Sequence, residues 1–240
     1  MIRISDIKLP INYTKKDIIS ACEKKIKLKS DNIMNITLVK KGIDARKKND
    51  IKYSLTVDVE VNADEDIVLS KCRSQNVTKG ITKNYELPGK YCKAMRPVVI
   101  GSGPAGLFSA YILAMCGAKP IVLERGYDVD KRRTAIDNFR FNAIIDETSN
   151  IQFGEGGAGT FSDGKLNTLV KDAFGRNKKV LEIFVKHGAP EDIMYTNKPH
   201  IGTDILIRVV RSMREQIRAW GGSFQFHSQL TDFSTREGRV

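Results

Sequence analysis

The sequence is poor in the residues that usually announce a metal or nucleophile site. Its 240 residues include four cysteines, Cys22, Cys72, Cys92 and Cys116, and no two of them form a C-x-x-C pair. A zinc ribbon and a redox-active dithiol are therefore not expected, and the thiols read as reduced and structural. The three histidines, His187, His200 and His227, stand at no metal-ligand spacing with one another or with a cysteine, so no metal is expected. No nucleophile elbow and no paired catalytic carboxylates stand out, and no catalytic residue is assigned. No apolar run reaches the roughly 18 residues of a membrane span. The first residues, "MIRISDIKLPINYTKK", lack the apolar core of a signal peptide. A soluble, cytoplasmic protein without a membrane partner is the expectation. Internal repeats and low-complexity tracts are absent too.

Charge of one sign is plentiful. The net charge is +12, and most of the excess of Lys and Arg falls before Pro97. A basic segment can serve nucleic acid or an anionic ligand, or be a solvated surface. There is no RNP-type aromatic motif and no zinc finger, so nucleic acid is not the expected partner. The exposed-looking run "DARKKND", with Arg46, Lys47 and Lys48 beside Asp44, keeps an RNA- or nucleotide-binding module without redox activity as the alternative function.

Two segments follow one another. Residues 1–90 read as a small α+β domain. "MIRISDIKL" alternates like a half-buried strand, and Ile18, Ile19, Cys22, Ile26 and Leu28 fall near helical spacing after a Thr14 cap. "IMNITLVKKGI" and "IKYSLTVDVEV" are β-branched, alternating strands. The pattern is β-α-β-β. "NYELPGKYCKAMRP" is a linker, and from residue 97 to 240 strands and helices alternate. The expected helices are "PAGLFSAYILAMCG", "DVDKRRTAIDNFRFNAII", "RNKKVLEIFVKHG" and "TDILIRVVRSMREQIRAWG". The expected strands are "PVVIG", "KPIVLE", "SFQFH" and "LTDFS". The fold class is α/β: a small α+β domain, then a Rossmann-like dinucleotide-binding domain.

The second domain carries the chemistry. Gly101, Gly103 and Gly106 form G-x-G-x-x-G between a strand and a helix. Gly101 allows the tight turn, Gly103 lets a pyrophosphate approach the backbone, and Gly106 lets helix and strand pack closely. Pro104 suits the first helical turn, with Ser102 and Ala105 completing the run. The helix N-terminus offers free N–H groups to phosphates. Glu124, 23 residues on, ends the next strand, where a carboxylate accepts ribose hydroxyls and repels a 2′-phosphate. Motif and acid serve FAD or NAD alike. Arg125, Arg132 and Arg133 follow, as phosphate or adenosine contacts or as a solvated helix face. A second glycine-rich run, "GEGGAGTFSDGKLNT", suits a backbone lying flat on a ligand. Gly157, Gly159, Thr160 and Lys165 are its candidate cofactor contacts, with Ser162, Asp163 and Asn167 as further polar groups.

The run G-S-G-P-A-G, then Ala110, Leu113-Ala114, Gly117 and "VLERG", resembles the FAD-binding opening of glutathione-reductase-type flavoproteins. More narrowly, the chain resembles a group of bacterial FAD-dependent dehydrogenases, the NAD(P)/FAD-dependent oxidoreductases. "GIDARKKNDIKY", the Gly154–Thr168 run and "PHIGTDILIRVVRSMREQI" carry that likeness. The resemblance implies FAD as cofactor and a hydride passed between flavin and a small-molecule substrate, with NAD(P)H left open as a second partner. It implies that the Gly154–Thr168 segment passes near the flavin and pyrophosphate; a further expectation is that the loop completes the FAD site, with Lys165 placing positive charge near the flavin and favouring its reduced, anionic form. Members of the group are longer, so the resemblance also implies a flavin domain incomplete at its C-terminus.

Overall fold

The structure is a computed structural model and describes residues 1–72, 74–91, 95–162, 164–166, 168 and 170–235. Cys92, Asp163 and Asn167 lie outside the described residues. The chain divides into two compact units. One comprises Met1–Asn84, Lys171–Gly175 and Glu191–Pro199, and the other Tyr85–Val170, Arg176–Pro190 and His200–Val240. Residues 85–90 thus group with the second unit, and two later segments group with the first.

The first unit runs β1 (Ile2–Pro10), α1 (Lys15–Ile26), β2 (Ile33–Asp44), β3 (Lys52–Val61), α2 (Glu65–Lys71) and β4 (Val77–Lys79). The strands lie in the order β2-β3-β1-β4, each antiparallel to its neighbours. This is the split β-α-β arrangement of ferredoxin-like units. Sequence periodicity gave β1 through β3 and missed α2 and β4, which are short and mostly polar. In β1, Ile2 and Ile4 are buried, and so are Ile7 and Leu9, although an odd step separates the two pairs. The register shifts between Ile4 and Ile7, with Asp6 at φ 52°, and this bulge returns all four side chains to the core face. They pack with Leu55, Val57 and Val59 of β3 and with Cys22 and Ile26 of α1. Thr14 and Asp17 close a capping box on α1. Of "DARKKND", Asp44 ends β2, opposite Lys52, and the rest lies in the hairpin loop between β2 and β3.

The second unit runs β5 (Val98–Ile100), α3 (Pro104–Met115), β6 (Ile121–Leu123), α4 (Val129–Asn142), α5 (Arg176–Lys186), α6 (Thr203–Ala219) and β7 (Ser223–Gln225). Its sheet is parallel in the order β5-β6-β7, with Val99 opposite Val122 and Val122 opposite Phe224. The core combines Val122 with Leu107, Ala110, Tyr111 and Ala114 of α3 and Val209, Val210, Met213 and Ile217 of α6. The segment read as a linker is fastened to this unit: the Arg96 guanidinium donates to Lys119 O at 2.8 Å and to Ser223 Oγ at 2.8 Å. "LTDFS" forms no strand. A strand needs a neighbour to complete its ladder, and among the described residues none pairs with it. No described helix is long and apolar enough to cross a membrane. The molecule is thus a mixed α/β protein with one antiparallel and one parallel sheet.

Candidate functional site

The site is built where β5 hands over to α3. Gly101 sits at φ +85°, a conformation that costs glycine little, and its N–H donates to Leu123 O at 2.7 Å. The chain then turns so tightly that a Cβ on Gly106 would lie 2.0 Å from Gly101 O. Pro104 occupies the first turn of α3, where its missing N–H costs nothing, and Ala105 follows it, exposed. Gly103 is the N-cap and offers no side chain to the free amides of that turn. A Cβ on Gly101 or Gly103 would meet nothing within 4 Å, so the space above the turn is open. The first-turn amides, the positive end of a twelve-residue helix and an open glycine surface make this turn chemically able to receive an anion.

Glu124 lies one residue beyond β6 and is 5% exposed. Its Oε2 accepts from Ser102 N and from Ser102 Oγ, both at 2.7 Å, and its Oε1 accepts from Gly126 N at 2.8 Å. The carboxylate therefore staples the glycine turn to the end of β6. Ribose hydroxyls at this position would share the oxygen that now takes the Ser102 hydroxyl. Ser102 is fully buried by the same contacts.

The second glycine-rich run lies directly on this turn. Gly156 N donates to Ser102 O at 2.8 Å, and Glu155 N donates to Tyr127 O at 3.0 Å. A Cβ on Gly157 would come within 2.7 Å of Pro104 Cδ. Thr160 is buried and returns its hydroxyl to Gly156 O at 2.9 Å, which tightens the loop from within. Gly159 faces open space. Lys165 is exposed and bridges by its backbone to His200. So the structure brings the Gly101–Gly106 turn, Glu124, Gly157 and Thr160 together.

The arginines divide. Arg125 lays its guanidinium 3.5 Å from the centre of the Phe153 ring, a cation–π contact. Arg133 points into solvent, 66% exposed on its side chain, with Asp137 at 4.0 Å. Arg132, one residue earlier on α4, is completely buried. It donates from Nε to Asn150 O, from Nη2 to Ile151 O, and from Nη1 to the carbonyls of Gly154, Glu155 and Gly157, at 2.7 to 3.2 Å. Burial lowers its guanidinium to about 10, which leaves it charged at neutral pH.

Glu155 is a second buried charge, and one that sequence patterns did not single out. It is fully inaccessible. Its Oε2 accepts from Val129 N at 2.8 Å and from Arg214 Nη1 at 2.6 Å, while Oε1 has no hydrogen-bond partner. Burial pushes this carboxyl up to about 7, against the opposing pull of Arg214. Elsewhere in the unit, buried His187 joins Tyr111 OH at 2.9 Å and Ser212 Oγ at 2.8 Å, and burial lowers its imidazole below the usual range. Among the described residues no group of three or more His, Cys, Asp or Glu is placed to hold a metal ion.

Two comparisons accompany this geometry. The model of a domain of unknown function (DUF8436) matches residues 1–60. The chain is also similar to an uncharacterized protein of Clostridium beijerinckii, 41% identical over 241 residues. All of this chain is covered by that match, and it spans 45% of the relative's length.

Proposed function

We propose that the second unit is a Rossmann-like domain that binds FAD and serves an FAD-dependent oxidoreductase, which passes a hydride between the flavin and a small-molecule substrate. The observation that carries this is the open glycine turn at the N-terminus of α3, with a second glycine loop laid against it. The fit is good where it can be tested on the backbone. Gly101 and Gly103 leave room for a pyrophosphate, and any Cβ at Gly103 would stand in the space left open there. Glu124 ends the strand from which a carboxylate reads ribose, and its negative charge disfavours a 2′-phosphate. The same turn and acid would serve NAD. The second loop, hydrogen-bonded to Ser102 and in contact with Pro104, favours FAD, because it adds a glycine-lined wall beside the pyrophosphate position.

In this reading Gly101, Ser102, Gly103, Pro104, Ala105 and Gly106 hold the pyrophosphate, and Glu124 orients the ribose. Gly157 and Gly159 line the far side, with Thr160 bracing them from within the loop, and Arg125 and Lys165 supply positive charge at the rim. Bound FAD would supply the two-electron chemistry. The protein's own groups bind it, orient it and exclude water from the pyrophosphate. NAD(P)H remains a candidate second partner.

The test is the visible absorption spectrum of the purified protein, with the released cofactor identified after denaturation and with added FAD and NAD titrated in parallel. A stoichiometric yellow chromophore that proves to be FAD is the expected result. A colourless protein that takes up NAD and not FAD would replace this reading by a nicotinamide one.

A further inference from the structure

We infer that Arg132 is the positioning residue of the cofactor site: it holds the glycine-rich loop in its binding shape before any ligand arrives. This inference rests on the FAD reading above. Its own evidence is the set of five hydrogen bonds from one guanidinium to the carbonyls of Asn150, Ile151, Gly154, Glu155 and Gly157.

The segment 150–157, with its three glycines, would by itself sample many backbone states, since glycine loses the most conformational freedom on ordering. Here the carbonyls are drawn inward around a planar fork of N–H donors. The Phe161 ring lies 4.6 Å from the guanidinium carbon. Gly154 is packed so closely on Arg132 that a Cβ there would meet Arg132 Cδ at 2.6 Å. With its carbonyls committed to Arg132, the loop turns the Gly156 N–H to Ser102 O and sets Gly157 on Pro104. The loop is therefore fixed against the very turn that would take the pyrophosphate. Arg132 itself has no accessible surface, so it does not meet a phosphate. Its effect on binding is indirect: it removes the entropic cost of ordering the loop when the ligand binds.

Lysine cannot replace it. An ammonium group presents its donors from one nitrogen and cannot span five carbonyls. The experiment compares wild type with Arg132→Lys, and uses Arg140→Lys, an exposed arginine of the same helix, as control. Three quantities are measured: FAD dissociation constant, amide hydrogen exchange across residues 150–161 without FAD, and thermal unfolding.

The expected result for Arg132→Lys is exchange at least tenfold faster in that segment alone and FAD affinity at least tenfold weaker, in a protein that still unfolds cooperatively. Arg140→Lys should change neither. A purely structural role would speed exchange throughout the unit. Unchanged loop exchange, or FAD affinity within twofold of wild type, would overturn the inference and leave the FAD reading standing. If wild type itself binds no FAD, both fall. Should Arg132→Lys not fold, Gly154→Ala presses an added Cβ to 2.6 Å from Arg132 Cδ, at φ +112°, and so disturbs the arginine's seat without altering a residue placed against the cofactor. Unchanged FAD affinity in that variant would overturn the inference equally.

Discussion

At the scale of single residues, the buried carboxylates Glu124 and Glu155 set the terms. Glu124→Ala would leave Ser102 N and Gly126 N buried without an acceptor. Leaving two such donors unsatisfied costs about 2 to 6 kcal/mol. Urea denaturation should show that loss, together with weakened FAD binding. Glu155 behaves differently because its carboxyl is held up to about 7 from an ordinary value of 4.5. The fold favours the neutral form, and the unfolded chain binds fewer protons between these values. Stability therefore falls as pH rises from about 4.5 to about 7, by an amount on the order of 3 kcal/mol for this group alone. His187, lowered by burial, works the other way as pH falls below its ordinary value. The difference between wild type and Glu155→Gln isolates the carboxyl. Denaturation at pH 5 and pH 8 should show wild type losing more stability than the variant between those two values. Arg132 and Arg133 teach the residue-scale lesson. They are adjacent and identical in type, yet one is fully buried and the other 66% exposed. One residue advances a helix by about 100°, enough to carry a side chain from core to solvent.

At the scale of elements, the decisive contact is between β5 and α3. Gly106→Ala would place a methyl carbon 2.0 Å from Gly101 O, where only backbone movement can relieve it. Overpacking of this kind costs about 1 to 3 kcal/mol, and the strand-to-helix turn would open as it relaxed. Thermal unfolding should register the loss, and FAD uptake should fall with it. The long elements were legible in sequence: α1 behind its Thr14 cap, β2 and β3 by alternation, α3 as an apolar run behind the glycine turn and α6 by its apolar stripe. The bulge in β1 was not, because local alternation carries no record of where a partner strand shifts register. Nor were α2 and β4, whose few residues leave too little pattern to count. "LTDFS" carries strand composition without a strand, since composition cannot supply the neighbour that a ladder requires.

At the scale of the whole molecule, the sequence by itself determined the order of units and the chemistry of the turn. Both follow from local causes: hydrophobic period sets helix or strand, and glycine spacing sets a tight strand-to-helix turn. Net charge and the scarcity of Cys and His limited the classes of site that could be built. Tertiary structure alone decided which groups serve the turn. It brought Gly154–Gly157 onto Ser102 and Pro104, some fifty residues away in the chain, and it buried Arg132 and Glu155 while leaving Arg133 in water. It also assigned the short segments Lys171–Gly175 and Glu191–Pro199 to the first unit, with Lys41 N donating to Tyr195 O at 2.7 Å. The physical reason is the same in each case. A side chain's burial and a backbone group's partner depend on what the fold places opposite it, and a linear pattern records only the residue's own preference.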